Sequence, residues 1–561
     1  MLRCQITADY PTNKNTKMKY KITGIVLLVI SLLFYSFSER VSNYFELTKN
    51  LEIFTTVYKE VNANYITDLD HSSLMKAGID AMLGTLDPYT VFVSENQVER
   101  SRYMAEGRYD GVGMEIKNVN ENIVVEFVYS GFGAHEAGIM AGDIIEKMEG
   151  RSLKGFDEED VMIFMRGASG TKLNMDVYRP HDNTSFNVDV ERQDVSVPNV
   201  PYSGMVADGI AYVALSTFTP MSGRNLAAAM DKLKNEHGDF KGIILDLRNN
   251  GGGLLTEAIN VSNLFIPQGK LVVSTKGNLE QWNRSFNTNN QPYDLETPLV
   301  VLINENSASA SEIVSGVMQD YDRGVLIGQR TYGKGLVQNM RPLNYNTQMR
   351  ITTSEYFIPS GRGIQNVKYE DGQPVAIPDS LRGVFQTQNG RTVLDGGGVA
   401  PDLEIPKPEL PEVVQALLDQ NLIFNYATDF RHRYDSIPEP GEFTFDKFGD
   451  FVSYVGKKDF HFTLEGETLL EDFIASAESG LYSNDVQREI SKIKDVLNRV
   501  KGNALSKHET MIVRLLEDEI VSRYYFQEGK TRQNLLRTDE MQRAIELLNN
   551  RSEYDQILSG K

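Results

Sequence analysis

The chain has 561 residues, 24% of them charged, and a net charge of −20, which argues against nucleic acid or an anionic membrane surface as the main partner. That length corresponds to about three or four domains, and 41% hydrophobic residues is enough for most of the chain to bury cores. The single cysteine, Cys4, excludes an internal disulfide framework and leaves no cysteine nucleophile downstream.

Residues 1–21 form a basic segment carrying Arg3, Lys14, Lys17, Lys19 and Lys21, expected to stay in the cytoplasm. An apolar run from Ile22 to Phe37, within segment 22–38, follows and is ended by Glu39 and Arg40. Its length of about 16 residues lies between a signal-peptide core and a short spanning helix. No small-x-small cleavage site follows it, so an uncleaved signal anchor is expected, with a cleaved signal peptide as the alternative. In both cases the remainder lies outside the cytoplasm, on the periplasmic side of a bacterial inner membrane.

Residues 43–100 read as an N-terminal helical domain, with Leu47, Leu51, Ile53, Phe54, Val57 and Tyr58 on one stripe and Leu74, Ile79, Met82 and Leu83 on a second, ended by Leu86-Asp87-Pro88. Residues 104–195 change character. Gly111-Val112-Gly113-Met114 leads into strand-like Ile123 to Val128, then Ala137-Gly138, Ala141-Gly142-Asp143-Ile144-Ile145, a helix at Asp160–Met165 and Arg166-Gly167. This string resembles a PDZ domain. Such a glycine loop turns backbone N–H groups toward a peptide carboxylate, and the adjoining strand edge accepts an extended peptide. Arg166, a cation set before a glycine turn, is either a coupling residue between this domain and the next or a solvated surface arginine.

From 200 to 405 strands and helices alternate. Gly242–Leu247 and Leu299–Ile303 are near-continuously apolar, as buried strands of an α/β core are. The first runs into Arg248-Asn249-Asn250-Gly251-Gly252-Gly253, the second into Ser307-Ala308-Ser309-Ala310-Ser311-Glu312 and a helix. A third strand, Val325–Ile327, precedes Thr331-Tyr332-Gly333-Lys334-Gly335 and Gln338. Residues 410–561 are mostly helical and highly charged, without a catalytic motif.

A serine between a buried strand and a helix N-terminus meets free N–H groups that stabilise an oxyanion. It is also an ordinary helix cap, with Ser311 and Glu312 opening the helix. The seven histidines stand at 71, 135, 181, 237, 432, 461 and 508, so none falls between 238 and 431. A lysine kept neutral by burial can serve as the base instead, and Lys334 is the candidate. Gln338, four residues on, is placed to orient the amine. Gly252 and Gly253, with the Ala310 N–H, offer oxyanion donors. Gly328 to Lys334 imitates a phosphate-binding loop, but Gly335 stands where that loop needs Ser or Thr, and a strand follows where it needs a helix.

The blocks 245–253, 307–313, 331–338, 356–361 and 397–402 resemble the C-terminal processing peptidases, also called tail-specific proteases, over about residues 45–405. That resemblance implies a multidomain α/β fold. A serine protease core carries a preceding or inserted PDZ domain, an N-terminal helical segment behind a membrane anchor, and a helical C-terminal extension. It implies Ser309 as nucleophile, Lys334 as base, Gln338 as its partner, and Ala310 with Gly252 or Gly253 as oxyanion hole. The choice of Ser309 over Ser307 and Ser311 rests on the family's spacing. Asp320 reads as structural. No metal or cofactor is implied. The expected partners are proteins with unstructured C-termini, captured at Gly111, Val112, Gly113 and Met114, with a homodimer or an adaptor left open. A catalytically silent, membrane-tethered PDZ adaptor is the rival reading.

Overall fold

The computed structural model describes residues 45–95, 97, 108–477 and 484–560, so the basic segment and the signal anchor lie outside the described residues. Among the described residues no helix is long and apolar enough to cross a membrane. The chain divides into a unit up to Met82 and a second from Leu83 onward. The first holds a helix over residues 45–64 and most of the helix His71–Leu83. Asp70 opens the second of these, its carboxylate accepting from the Ser72 and Ser73 N–H groups. Phe54 packs against Gly78, while Phe45, Leu47, Leu51 and Val57 stay exposed.

Beyond Leu83 the segment is not continuously helical. Val91–Val93, which the sequence assigns to the helical domain, is instead a strand paired antiparallel with Gln348–Phe357. That small sheet also contains Leu271–Gly277, Arg284–Asn287 and Leu336–Pro342.

The segment that resembles a PDZ domain closes around its own core of Met114, Ile123, Val125, Ile145, Leu173 and Val177. Its strands run in the order Met114–Val119, Asn122–Val128, Ile144–Met148, Lys172–Arg179 and Thr184–Glu191. Met114–Val119 is therefore an edge strand, and the helix Glu158–Met165 packs beside it.

The α/β core is a six-stranded sheet ordered Ser203–Ala207, Ile210–Ala214, Gly242–Asp246, Leu299–Ile303, Gly324–Gly328, Leu403–Glu404. Only its first pair is antiparallel. Every residue of the three central strands is buried, so both faces need cover. Helices Ser222–His237, Leu255–Phe265 and Ala310–Asp320 cover one. The other is covered by the end of the chain. Met541, Ala544, Leu547, Leu548 and Tyr554 pack on Ile244, Val300, Leu302 and Val325, and the Tyr554 hydroxyl accepts from the Leu299 N–H at 2.9 Å. Residues 539–559 thus belong to the core, whereas the helices between 412 and 534 pack around Tyr426, Phe451, Leu516 and Ile520.

Candidate active site

The parallel strands bring the glycine loop and the serine loop side by side at their C-terminal ends. Ser307 Oγ donates to Leu247 O and Ser311 Oγ to Asn250 O, each at 2.8 Å, and both serines are fully buried. They stitch one loop to the other and have no access to a substrate. Ser309 between them is half-buried, with φ 54° and ψ −111°. A non-glycine residue held there carries strain of a kind that clusters at functional sites. Three serines indistinguishable by composition are thus separated by what their hydroxyls touch.

Ser309, Ala310, Gly252, Gly253, Lys334, Gln338 and Tyr356 line one cleft of about 610 Å³, and no histidine is among its lining residues. Gly252 has φ +100°, and a Cβ on it would lie 2.8 Å from the Ser309 Cβ and 3.0 Å from the Ala310 nitrogen. Only glycine allows this approach. The Gly252 N–H is engaged by Asn250 Oδ1 at 2.9 Å. The Gly253 and Ala310 N–H groups have no hydrogen-bond acceptor among the described residues, which favours that pair as oxyanion donors.

Lys334 follows Gly333, whose φ of +86° and contact with Asn366 (a Cβ would lie 2.3 Å from it) again demand glycine. Burial depresses the Lys334 pKa, and nearby Arg350 adds to the effect. The amine lies 4.6 Å from the centre of the Tyr89 ring. Tyr356, fully buried, donates its hydroxyl to the Lys334 carbonyl. Gln338 lines the same cleft but does not bond the amine. Its amide donates to Leu336 O at 3.2 Å and Thr352 Oγ1 at 3.3 Å, and Thr352 Oγ1 donates to Asp87 at 3.1 Å.

Sequence reasoning missed Glu312 as more than a helix opener. Its side chain is wholly buried and accepts from four donors: Ser309 N–H (2.8 Å), Lys334 N–H (2.9 Å), Gly333 N–H (2.7 Å) and the Thr331 hydroxyl (2.6 Å). One carboxyl group therefore ties the serine's backbone to the lysine's. Burial pushes its pKa up to about 7 against the pull of those bonds. Ser309-x-x-Glu312 is the spacing of a capping box, the one local signal that pointed here. Asp87, read as part of a helix end, and Tyr89, which falls in the segment read as helical, also line this region. Asp87 accepts from the Tyr89 and Thr90 N–H groups, each at 2.9 Å, and so fixes the turn that sets the ring over the amine.

The PDZ residues stand on a separate sheet. Gly111 ends the strand Arg108–Gly111, Val112 is buried, and Gly113 turns into Met114 at the start of the edge strand. Arg166 caps the helix Glu158–Met165 through its backbone, and its side chain makes no hydrogen bond or ion pair among the described residues. Arg192 binds that helix end instead, donating to Phe164 O at 2.9 Å and Met165 O at 3.3 Å. Asp320 is buried in an ion pair with Arg362 at 3.1 Å and accepts from the Ser360 N–H at 2.9 Å.

Three family models match this chain: a PDZ domain over residues 101–178, peptidase family S41 over 209–373, and the C-terminal helical domain of a probable PDZ-protease over 413–548. A carboxy-terminal-processing protease of Bartonella bacilliformis is 33% identical over 353 residues, covering 63% of this chain and 80% of that protein. A probable CtpA-like serine protease of Staphylococcus aureus is 32% identical over 347 residues, covering 61% of this chain and 68% of that one. The solved photosystem II D1 C-terminal processing protease is 26% identical, covering 64% of this chain and 87% of that one, with a TM-score of 0.35. The chain belongs to the carboxy-terminal-processing proteases of peptidase family S41, and is a serine-type peptidase with a PDZ domain.

Proposed function

We propose that this protein cleaves exported proteins after capturing their unstructured C-termini, using Ser309 as nucleophile and Lys334 as general base. The observation that carries this reading is the cleft itself. Lys334 is the one basic side chain lining it, and Glu312 bonds the backbone N–H of both Lys334 and Ser309. Ser309 Oγ attacks the scissile carbonyl while the neutral Lys334 amine takes its proton. The developing oxyanion is held by the Ala310 and Gly253 N–H groups. The intermediate collapses to an acyl-enzyme, and the lysine ammonium returns its proton to the departing amine. Water then enters, is deprotonated by the same amine, and releases the acid. Gln338 orients the amine once its own amide turns from Thr352.

The Gly111–Met114 loop binds the substrate's terminal carboxylate and the edge strand Met114–Val119 pairs with the residues before it. Segment 22–38 anchors the chain, with the catalytic part on the periplasmic side. An unfolded substrate incubated with wild-type, Ser309→Ala and Lys334→Ala proteins tests the chemistry. Fragments should form with wild type alone, and fragments from Ser309→Ala at the wild-type rate would overturn the assignment.

A further inference from the structure

Two histidines far apart in sequence meet at the seam between the PDZ domain and the C-terminal helices. His181 lies in the turn between the strands Lys172–Arg179 and Thr184–Glu191, and His432 lies in the helix Leu422–Arg433. Their imidazoles stack with centroids 4.3 Å apart and planes at 7°. Asp182 follows His181, and one ligand atom from each of His181, Asp182 and His432 lies within 4.8 Å of the others. Asp429, on the same helix as His432, places Oδ1 3.4 Å from His181 Nδ1.

The arginines beside this cluster make their hydrogen bonds elsewhere. Arg179 is committed to Asp143, donating to its two oxygens at 2.8 and 2.7 Å. Arg433 donates to the Asp429 backbone carbonyl, at 3.1 Å, and not to its carboxylate. Neither Asp182 nor Asp429 pairs with a lysine or arginine among the described residues. Two imidazoles and two carboxylates thus converge from different domains.

We propose that His181, Asp182 and His432 bind a divalent first-row transition ion, zinc by the nature of the donors, which staples the PDZ domain to the C-terminal helical domain. Nitrogen and carboxylate oxygen are the donors zinc takes, at about 2.0–2.2 Å, which requires ligand atoms about 3.3–3.5 Å apart. The stacked rings reach that by rotation of one imidazole, since parallel planes cannot share an ion. Asp429 accepts the His181 Nδ1–H, fixing the tautomer that leaves Nε2 for the metal, as outer-shell carboxylates do. Water fills the fourth position. The ion takes no part in peptide hydrolysis and acts on the PDZ domain's freedom to move.

Tag-free full-length protein, treated with chelator and dialysed, is titrated with Zn²⁺ by calorimetry and with Co²⁺ by absorption. One ion per chain is expected, with intense d–d bands for a low-coordinate cobalt site. Zn²⁺ should also slow hydrogen exchange at residues 179–184 and 425–433. His181→Ala and His432→Ala should each weaken binding at least about tenfold and Asp429→Asn by roughly tenfold, while His237→Ala changes nothing. Failure of the wild-type protein to bind a stoichiometric ion overturns the proposal. So does undiminished binding by the His181→Ala/His432→Ala double variant.

Discussion

Glutamine at position 312 preserves the side chain's shape and removes half of its acceptors. Oε1 takes the Thr331 hydroxyl and the Gly333 N–H, and Oε2 takes the Ser309 and Lys334 N–H groups. With the amide NH₂ toward the second pair, two N–H donors would face a donor. With the NH₂ toward the first pair, the Thr331 hydroxyl rotates to accept and gives up its own bond to position 312, so the Gly333 N–H is the one backbone donor left facing a donor. The second arrangement is therefore expected, and one buried unsatisfied donor costs about 1–3 kcal/mol. The comparison with wild type depends on pH. The folded-state pKa of Glu312, about 7, lies above its ordinary value of 4.5, so folding favours the protonated form. That stability is fully present below 4.5 and lost as pH rises through about 7, to the extent of about 3 kcal/mol. Glutamine does not titrate. Glu312→Gln should thus be destabilised relative to wild type by about 1–3 kcal/mol at about pH 5, and the gap should close or reverse by about pH 9. Urea midpoints measured side by side at both pH values check this. A gap that widens with pH would show that the four donors outweigh burial and that Glu312 is ionised throughout, refuting the argument.

The remaining predictions concern the base, its cover, the reader of tails and the membrane. Lys334→Ala and Lys334→Arg should both abolish turnover without unfolding the protein, since guanidinium does not deprotonate; hydrolysis by the arginine variant would remove lysine from the role of base. Activity should rise with pH through the depressed Lys334 pKa, because the base must be neutral. Tyr89→Ala, which opens the amine to water, should move that limb to higher pH, and an unmoved or lowered limb in the pH–rate profile would count against burial as the cause. Amidating the C-terminus of an unstructured peptide removes a charge-assisted contact of about 1.5–3 kcal/mol, so kcat/KM should fall about tenfold or more; equal values would make the PDZ domain a structural lid. The protein should fractionate with membranes, and a mature N-terminus mapped near residue 39 would replace the anchor with a cleaved signal.

Much of the chemistry was legible in the chain because it is local. A buried strand announces itself by unbroken apolar residues, and a glycine pair after it announces a close backbone approach. A lysine between glycines, in a stretch without histidine, is the candidate for a base. Those patterns singled out Ser309, Lys334, Gln338 and the glycine pair, which the fold brings to one cleft, and the PDZ string located the second domain. Tertiary packing decided the rest. Ser307, Ser309 and Ser311 differ only in whether a neighbouring loop's carbonyl takes the hydroxyl. Glu312 read as a helix opener beside Ser311, while the lysine loop it also binds arrives from beyond the next strand. Tyr89 reaches Lys334 from more than 200 positions away because a short strand, Val91–Val93, joins a sheet edge. The last helices cover the core sheet because its strands are apolar on both faces, a need the strands declare without naming what will meet it. His181 and His432 carry no shared sequence signal at all, and only the docking of one domain on another stacks their rings.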